Sequence, residues 1–437
     1  MNSKRIAILI TILTITLCSA CGSRISPTAS SDKEILTLTT PYLSDELRSA
    51  IYFFNEKNET IQINPIRYSE YANCDNYSDG LTKLNLDIIS GKSPDIMIID
   101  SEIPFESYIH KGLFEALDIY MVNDPDISRN DFLENIISLG QKDDHLYSVI
   151  PMFYIETCIA SEEQLHGNIL TLSNYKTLCQ QNNIDPSKLF GSLSQQDSDD
   201  LLLCSTLECV NWKENICNFE CSSFIDMLEF INNLPSETDT DSSITANNEA
   251  LLNAVSIYGI EDYLLAKQSF SADTTLLFNG FPSENSGISY VHPELQMAIS
   301  SNCKNKEAAW QFLRYFLTEE YQHKIDGYIP LSQKAFEKKL DALESSHYYI
   351  NESEEIIISK NTDHVDNIKE DLGSLTKTEV NELKQLVETT SSSYYENAII
   401  ASIISEEANH YFNGEKTAED VAAIVQSKVS LYLSENM

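Results

Sequence analysis

The residues of this chain that could perform catalysis do not form an established catalytic pattern. Gly91, Lys92 and Ser93 match the end of a phosphate-binding loop, but Leu86 stands where that loop requires its first glycine. The sequence has neither a GxSxG nucleophile elbow nor an HExxH zinc helix, and its 8 histidines are not paired at metal-ligand spacing. Among 67 acidic residues, no single pair of carboxylates indicates glycoside hydrolysis. We therefore predict that the protein is not an enzyme and uses no cofactor and no metal.

The cysteines are the second group that could do chemistry. The chain has 10 of them, and Cys204, Cys209, Cys217 and Cys221 follow one another at spacings of five, eight and four. Zinc knuckles use paired CxxC spacings, which this run lacks. We interpret these cysteines as structural, an interpretation that covers both free thiols and disulfides.

The charge balance excludes some partners. Lys and Arg number 29 against 67 Asp and Glu, which gives a formal net charge of -38 at pH 7. Nucleic acids bind through basic side chains that release counterions from the phosphates, and a surface this negative repels them. Peripheral binding to an anionic membrane surface is disfavoured for the same reason. We expect a solvated acidic surface and no nucleic-acid partner.

The N-terminal part predicts an exported chain that carries a lipid. Two basic residues precede an apolar, threonine-rich run at 6–17, which is shorter than the ~20 residues that span a bilayer. Cys21 follows two small residues and resembles the lipidated cysteine of a bacterial lipoprotein, although Cys18 occupies a position that is usually apolar there. We predict a signal peptide at 1–20, lipidation of Cys21 and a lipid-anchor tether at 21–33. Secretion without a lipid is the alternative.

Strand and helix patterns alternate in the residues that follow the tether. Alternation of Thr, Ile and Leu indicates strands, and apolar residues at helical spacing indicate helices. Residues 94–100 are nearly all apolar, which is typical of a parallel strand buried on both faces. This rhythm predicts an α/β chain with a doubly wound sheet. The predicted elements are strand 34–40, helix 44–55, strand 61–66, helix 81–90 and strand 94–100.

The remainder of the chain contains both element types, and its length favours two lobes. Trp310 borders the apolar stripe of a helix at 304–324, so we expect it at the edge of a core. Thr376 and Glu379 form a capping box at the start of a helical C-terminal region. We also predict strands at 146–151, 253–259 and 274–280, helices within 168–183, 197–208, 224–232 and 376–432, and an exposed polar loop at 236–248.

Several stretches carry a family resemblance. The first is a strand, turn and helix at 36–55, and the second is a Gly-x-x-Pro-Asp entry into a buried strand at 89–96, followed by KGLFEAL at 111–117. The others are a strand with a KNKEAAW helix at 299–310 and a helical ending at 406–433. Together, and in this order, they resemble the family 1 extracellular solute-binding proteins of bacterial ABC importers, the large carbohydrate-binding branch.

The resemblance implies a two-lobed periplasmic-binding-protein-like fold (type II), with a ligand cleft between lobes that crossover strands join. Its lobe 1 would hold residues 34–150 with a return segment at 280–317, and its lobe 2 residues 151–279 with a C-terminal segment at 318–437. It implies a monomer that is lipid-anchored at the extracellular face of the cell membrane. Such a protein captures a sugar or oligosaccharide and delivers it by hinge closure to the transmembrane subunits of an ABC permease.

Two other functions are left open. One is the binding of a non-sugar solute, such as a peptide, a polyamine or a metal complex, because acidic residues near a cleft also suit a cation. The other, less favoured, is that of an exported hydrolase.

Candidate ligand-binding residues are those at strand ends, since ligands of open α/β sheets lie outside the carboxyl ends of the strands. Aromatic faces there would pack against sugar rings, and carboxylates and amides would hydrogen-bond to hydroxyls. Each candidate also has an ordinary structural role, such as capping a turn for Asp100 or core packing for Tyr258. Trp212 lies in the region that resembles the family least. The predicted ligand-binding residues are Tyr42, Ser44, Asp100, Glu102, Tyr154, Glu156, Trp212, Tyr258 and Gly259.

Overall fold

A computed structural model describes most of the chain after the N-terminal part. The predicted signal peptide, the lipidation site Cys21 and Glu102 lie outside the described residues, as does nearly all of the predicted polar loop at 236–248. The described ranges are 33–40, 42–71, 78–101, 103–191, 193–196, 198–212, 214–236, 250–268, 270, 274–351, 356–359, 368–394 and 398–436.

The helices match most of the sequence predictions, including those at 44–55, 197–208 and 224–232. Short 3-10 turns lie at Tyr68–Tyr71, Arg129–Asp131, Ser138–Gly140 and Pro186–Lys188. No helix of the described ranges is both long enough and apolar enough to cross a membrane. The helices are α1 (Asp45–Lys57), α2 (Ser78–Ile89), α3 (Phe105–His110), α4 (Asp118–Asn123), α5 (Glu134–Ile137), α6 (Glu162–Leu165), α7 (Tyr175–Asn182), α8 (Asp199–Cys209), α9 (Ser222–Asn232), α10 (Ile260–Gln268), α11 (Lys306–Leu317), α12 (Glu319–Gln322), α13 (Gln333–Glu344), α14 (Lys377–Thr389), α15 (Ala398–Phe412) and α16 (Ala418–Asn436).

The strands include those that the sequence predicts at 34–40, 61–66, 94–100, 253–259 and 274–280. They are β1 (Glu34–Thr40), β2 (Ile61–Arg67), β3 (Ile96–Ile98), β4 (Gln141–Lys142), β5 (His145–Leu146), β6 (Ser148–Ser161), β7 (Val210–Asn211), β8 (Ile216–Cys217), β9 (Asn253–Ile257), β10 (Leu276–Phe278), β11 (Phe281–Pro282), β12 (Gly287–Ile288), β13 (Tyr290–Ile299), β14 (Ile329–Pro330), β15 (His347–Asn351), β16 (Ile356–Ser359), β17 (Ile368–Gly373) and β18 (Ser392–Ser393).

The described residues divide into two compact units. The smaller unit contains those up to Leu36 together with 44–64, and the larger one contains 37–43 and everything from Pro65 onward. In the smaller unit, the side chain of Ser44 accepts a hydrogen bond from the N–H of Leu47 at 3.2 Å and begins α1. This N-cap confirms the predicted start of the helix.

The main sheet of the larger unit is mixed. Its strands lie in the order β10, β6, β13, β3 and β1, with β9 and β14 paired to β6 and β18 paired to β13. Strands β1 and β3 are parallel, with Leu38 opposite Ile96, as a doubly wound sheet requires. Strand β13 runs antiparallel to both β3 and β6, so the sheet is not wholly parallel.

Strand β6 is longer than the sequence predicts. A strand at 146–151 was expected to end at Pro151, but β6 continues to Ser161. The carbonyl of Pro151 accepts hydrogen bonds from the N–H of Leu331 and the side chain of Gln322, both at 3.0 Å. The strand therefore continues through a residue that has no N–H to donate. Strand β6 pairs with β13 from Ser148 to Glu156 and, on its other edge, with β9 and β10 from Ile155 to Ser161.

The buried residues of the larger unit include two hydrophobic clusters, which we call the first and the second core cluster. The second core cluster consists of buried residues of β6, α8, α9, α15 and α16, among them Leu203, Phe224 and Val425. Phe281 and Tyr290 of the predicted lobe 1 return segment also belong to it, and the lobe boundaries stay a prediction. The first core cluster consists of Tyr68, Leu84, Met97, Ile99, Ile103, Phe105, Tyr108, Ile109, Phe114 and Ala298.

Two further differences from the predicted elements have local causes. The helix predicted at 304–324 divides at Thr318, whose extended backbone ends α11 and whose side chain caps α12. Trp310 of α11 is buried, as its place beside the apolar stripe predicts. A small antiparallel sheet of β16, β15 and β17 lies in a segment for which no element was predicted.

Candidate functional site

Five partly exposed rings form a series in the larger unit, and we call them the aromatic row. Tyr154 of β6 stacks on Tyr258, with ring centroids 4.1 Å apart, and on His292 of β13 at 4.5 Å. His292 in turn lies 4.9 Å from Tyr394, and Tyr258 meets Tyr328 edge-on at 5.8 Å. The row therefore runs in the order Tyr328, Tyr258, Tyr154, His292 and Tyr394.

The sheet register brings these rings together. Tyr154 is directly opposite His292 across β6 and β13, and Tyr258 follows Ile257, the residue opposite Ile155 on the other side of β6. Tyr394 is fixed by its backbone N–H, which donates to the carbonyl of Val291 at 2.9 Å. The centre of the row is thus held by rigid backbone pairing rather than by loops.

Glu156 lies two residues beyond Tyr154 on the same face of β6. Its carboxylate accepts a hydrogen bond from the hydroxyl of Ser256 on β9, with Oγ to carboxylate distances of 2.9 and 3.0 Å. Burial raises the pKa of Glu156, and the Ser256 hydrogen bond partly opposes this effect. Across the sheet from Glu156 is Tyr290, whose hydroxyl is 3.0 Å from the Sγ atom of Cys204 on α8.

Asp200 supplies a second carboxylate on α8. Burial, followed by the negative charges of Glu156 and Asp199, raises the pKa of Asp200 to about 7. No Lys or Arg within the described ranges forms a salt bridge with Glu156 or Asp200. Burial also lowers the pKa of His292 to about 4, so its ring is neutral at pH 7. This part of the site therefore holds two carboxyl groups that form no salt bridge with the described chain, and Asp200 is partly protonated near pH 7.

A cavity of about 720 Å³ lies at the Tyr394 end of the row. It is lined by Leu81, which packs against the first core cluster, and by Leu203 of the second. Ser101 and Asp199 also line it, so the cavity lies between the two clusters, and its volume is typical of a small-molecule site. A smaller cavity of about 190 Å³ is lined by Tyr258, Gly259 and Tyr328 at the other end.

Other parts of the structure do not resemble this site. A separate polar cavity of about 540 Å³ between β10, β12 and α14 contains none of the predicted ligand-binding residues. Within the described ranges, no group of three or more His, Cys, Asp or Glu side chains is arranged to hold a metal ion.

Comparisons with known proteins bear on the fold. No protein-family model matches the chain, and no curated protein matches its sequence. Among solved structures, the sugar-binding protein MalE of Xanthomonas citri has a TM-score of 0.60 at 12% identity, over 92% of this chain and 98% of that one. The Listeria monocytogenes substrate-binding protein Lmo0181, solved with cycloalternan, has a TM-score of 0.56 at 12% identity, over 92% and 100% of the chains. The galacto-N-biose-/lacto-N-biose I-binding protein of Bifidobacterium longum gives 0.55 at 13%, over 94% and 99%.

The chain has the fold of the extracellular solute-binding proteins. This confirms the predicted α/β fold class, because the neighbours are two-lobed periplasmic binding proteins. By their names, these neighbours are a sugar-binding protein, an ABC substrate-binding protein and a galacto-N-biose-/lacto-N-biose I-binding protein of an ABC transporter.

Within this binding-protein fold, four of the predicted ligand-binding residues come together. Tyr154, Glu156, Tyr258 and Gly259 all lie along the aromatic row or directly beside it. Asp100 accepts a hydrogen bond from the N–H of Ile103 at 3.1 Å, and its neighbour Ser101 lines the large cavity.

The other predicted ligand-binding residues are placed elsewhere or used otherwise. Tyr42 is 72% exposed, and the side chain of Ser44 caps α1. Trp212 packs against the second core cluster and does not line the large cavity, and its indole N–H has no acceptor among the described residues. Glu102 lies outside the described residues. Their roles in ligand binding stay predictions.

Sequence reasoning missed four members of the site. Tyr328, His292 and Tyr394 complete the aromatic row, and Asp200 adds the second carboxylate. Asp200 lies in the first turn of a helix that was predicted, where an acidic residue is ordinary. The local sequence signal for Tyr394 is its position as an aromatic residue directly after three serines at 391–393.

Proposed function

We propose that this protein is a lipid-anchored extracellular solute-binding protein that captures a sugar or oligosaccharide for an ABC importer. The observation that carries the proposal is the aromatic row beside a cavity of about 720 Å³, with the Glu156 carboxylate on the same strand face. Aromatic rings offer apolar surface to sugar C–H groups, while phenol and carboxylate oxygens hydrogen-bond to sugar hydroxyls. The fold shared with sugar-binding neighbours supports this assignment.

The test is a thermal-shift screen of the chain from Ser23 onward, against mono- and oligosaccharides, amino acids, polyamines and divalent metals. A sugar at a hundred times its dissociation constant adds about 2.7 kcal/mol of stability, so the melting temperature rises visibly. We expect a saccharide to raise it and to be recovered unchanged. Release of new reducing ends on incubation would show hydrolysis and would contradict the proposal of a protein without catalytic activity.

Delivery to the permease transmembrane subunits requires a conformational signal, and hinge closure of a monomer is the mechanism we propose. The long strand β6 pairs with β13 over residues 148–156 and, on its other edge, with β9 and β10 over residues 155–161, so it is a suitable crossover strand. Small-angle scattering with the sugar identified in the screen should give a smaller radius of gyration than the protein alone. An unchanged radius at saturation would reject hinge closure.

Attachment to the outer face of the membrane is proposed through Cys21. Expression with a fatty-acid analogue should label the full-length protein and place it in the membrane fraction. Cys21→Ala should lose the label, while Cys303→Ala, a buried cysteine far along the chain, serves as the control and should keep it. Label retained in Cys21→Ala would place the lipid elsewhere.

A cationic solute is the second candidate, and the buried carboxylates favour it. Glu156 and Asp200 form no salt bridge with a Lys or Arg of the described chain, so a ligand ammonium group would relieve an unfavourable concentration of charge. A stability increase with a polyamine such as spermidine, together with silence from every sugar, would establish this candidate. Such binding would weaken steeply with added salt, whereas binding of a neutral sugar would not.

A further inference from the structure

Two cysteines of the larger unit are positioned next to each other by a short hairpin. Cys209 ends α8, and Cys221 immediately precedes α9. Their Sγ atoms are 3.6 Å apart. A disulfide bond holds its sulfur atoms about 2.0 Å apart, so its formation requires the two side chains to rotate toward each other.

The backbone between these cysteines holds them in place. Strands β7 and β8 pair antiparallel with Val210 opposite Cys217, and Asn215 in the turn adopts a left-handed φ of 54°. The N–H of Asn218 donates to the carbonyl of Cys209 at 2.8 Å. Backbone hydrogen bonds therefore close the chain that follows Cys209 into a hairpin, which returns it toward Cys221.

The thiols of Cys204 and Cys217 lie against hydroxyl groups of other elements, whereas the hydroxyl next to the Cys221 Sγ atom, that of Ser223 at 3.2 Å, belongs to the first turn of α9. Cys204 lies five residues before Cys209 on α8, where its Sγ atom is 3.0 Å from the hydroxyl of Tyr290. Cys217 lies on β8 with its Sγ atom 3.3 Å from the hydroxyl of Ser430 on α16. A metal site is not an alternative, because the described side chains provide no group of three ligands in reach of one ion.

We propose that Cys209 and Cys221 are joined by a disulfide bond in the exported protein. The inference rests on the proposed export of the chain, since disulfides persist outside the cell and are rare in the reducing cytosol. The oxidant is an external disulfide, either of an exported thiol oxidoreductase or of a small molecule such as oxidised glutathione. The bond closes a loop that contains Trp212, and it fixes the C-terminal end of the helix that carries Asp200.

The exposure of the two thiols decides which of them reacts first with the external disulfide. Cys221 is partly exposed and Cys209 is buried, and burial raises the pKa of Cys209 well above its usual value. The Cys221 thiolate therefore attacks the external disulfide, forms a mixed disulfide and releases one thiol. Cys209 then loses its proton to water and attacks the Cys221 sulfur, which releases the second thiol. Two protein thiols are oxidised, and one external disulfide is reduced to two thiols.

The decisive test uses the full chain, exported with its own leader. Free thiols are alkylated at harvest, and the protein is digested without reductant by a protease that cuts after glutamate. Glu208, Glu214 and Glu220 separate Cys204, Cys209, Cys217 and Cys221 onto four different peptides. We expect the Cys209 and Cys221 peptides to be linked and to separate on reduction, with Cys204 and Cys217 alkylated. Alkylation of Cys209 and Cys221, or linkage of either to another cysteine, would overturn the proposal.

Variants give matched controls for the same measurement. Cys217→Ser should keep the linked pair, and Cys221→Ser should leave Cys209 alkylated. A reductant should lower the melting temperature of the parent protein by roughly 5 °C and leave that of the Cys209→Ser/Cys221→Ser variant unchanged. An equal effect of reductant on both proteins would contradict a stabilising bond.

Failure of the proposed function has a different signature. If the chain is not exported, the digest contains residues 1–20 intact. In that case the purified, reduced protein is treated with oxidised glutathione before the digestion. Linkage of Cys209 to Cys221 there supports the inference, and its absence overturns it. A protein that contains the disulfide and binds no solute contradicts the proposed function alone.

Discussion

The phenol rings of Tyr154 and Tyr258 are stacked, with centroids 4.1 Å apart and planes 22° from parallel. His292 lies against Tyr154 at 4.5 Å, so the inner rings of the row already pack face to face. A ligand therefore meets ring edges and hydroxyl groups along most of the row. Tyr394 stands at its end and lines the large cavity, so it is the ring best placed to present a face to a sugar.

Replacement of Tyr394 should therefore weaken sugar binding more than any change elsewhere in the row. We expect Tyr394→Ala to lose about tenfold in affinity, because one stacked aromatic contact contributes about 0.5–1.5 kcal/mol beyond its buried area. Tyr394→Phe keeps the ring and should stay within about threefold of the parent. Isothermal titration with the sugar found in the screen measures both. The surface variant Tyr52→Ala, at 59% exposure, is the control. If Tyr394→Ala binds the sugar with the affinity of the parent protein, Tyr394 is not part of the sugar-binding surface.

Asp200 should make the free energy of unfolding depend on pH. Its folded-state pKa, raised to about 7, exceeds the unfolded value near 3.9, so the native state binds this proton more tightly. The stabilisation is complete below roughly pH 4 and is lost as the pH rises through about 7, up to about 4 kcal/mol in all. Urea unfolding between pH 5 and pH 8 should show a loss of stability that Asp200→Asn reduces.

The neighbouring Asp199 provides the control for this measurement. It is exposed at the start of the same helix, so Asp199→Asn should keep most of the pH dependence of the parent. Equal pH dependence in the parent and in Asp200→Asn would show that Asp200 does not hold a raised pKa. The remaining slope in that variant reports the raised pKa of Glu156 together with the general repulsion of an acidic chain.

The ion pair between Arg314 and Asp124 should contribute strongly to stability. Arg314 Nε and Nη2 donate to the two carboxylate oxygens at 2.6 and 3.0 Å, and the Asp124 side chain is only 2% exposed. Burial acts to raise the pKa of Asp124, but the hydrogen bonds from Arg314 hold it below its usual value. Arg314→Ala leaves a buried carboxylate without its partner, and we expect a loss of about 3 kcal/mol in urea unfolding.

A surface ion pair supplies the comparison. Lys324 and Glu320 are 2.7 Å apart with both side chains about 70% exposed, so Lys324→Ala should change stability by less than about 0.5 kcal/mol. A small loss from Arg314→Ala, similar to that of Lys324→Ala, would show that Asp124 finds water or another partner. The loss in Arg314→Ala should shrink as the pH falls and Asp124 takes up a proton.

The part of the site that follows local rules could be predicted from the sequence. Tyr154, Glu156, Tyr258 and Gly259 were chosen because they follow or end strand patterns, and the structure places them together. His292 could not be chosen in this way, because it lies inside β13. Its place opposite Tyr154 depends on a register that is shifted by irregularities just beyond Pro293. Long-range register of this kind has no local sequence signal.

Elements were missed where tertiary contacts overrule local preference. Pro151 reads as the end of a strand, yet hydrogen bonds to its carbonyl from Gln322 and Leu331 keep β6 intact. Tyr394 joins the row only because Ser393 pairs with Val291 in a bridge of two residues, too short to form a pattern. The start of the first helix at residue 44 and the capping box at Thr376 were predicted correctly because capping uses only neighbouring residues.

Replacement of the Asn279 amide should lower stability, because its side chain makes the paired hydrogen bonds to Leu170 that a strand backbone would otherwise make. Its side-chain oxygen accepts from the N–H of Leu170 at 2.7 Å, and its NH₂ group donates to the carbonyls of Leu170 and Gly280 at 3.1 and 2.9 Å. In Asn279→Asp, a buried carboxylate oxygen would face these two carbonyls. We expect a loss of about 3 kcal/mol in urea unfolding at pH 7.

The pH dependence of this variant provides an independent check. Protonation restores a donor toward the two carbonyls, so the folded-state pKa of the new carboxyl should be raised. The stability of Asn279→Asp is then highest at low pH and falls as the pH rises toward neutrality. Asn233→Asp, at an exposed amide that bonds only to the carbonyl of Glu229, should lose less than about 1 kcal/mol. Equal losses in the two variants would show that the Asn279 site admits water and does not depend on the amide.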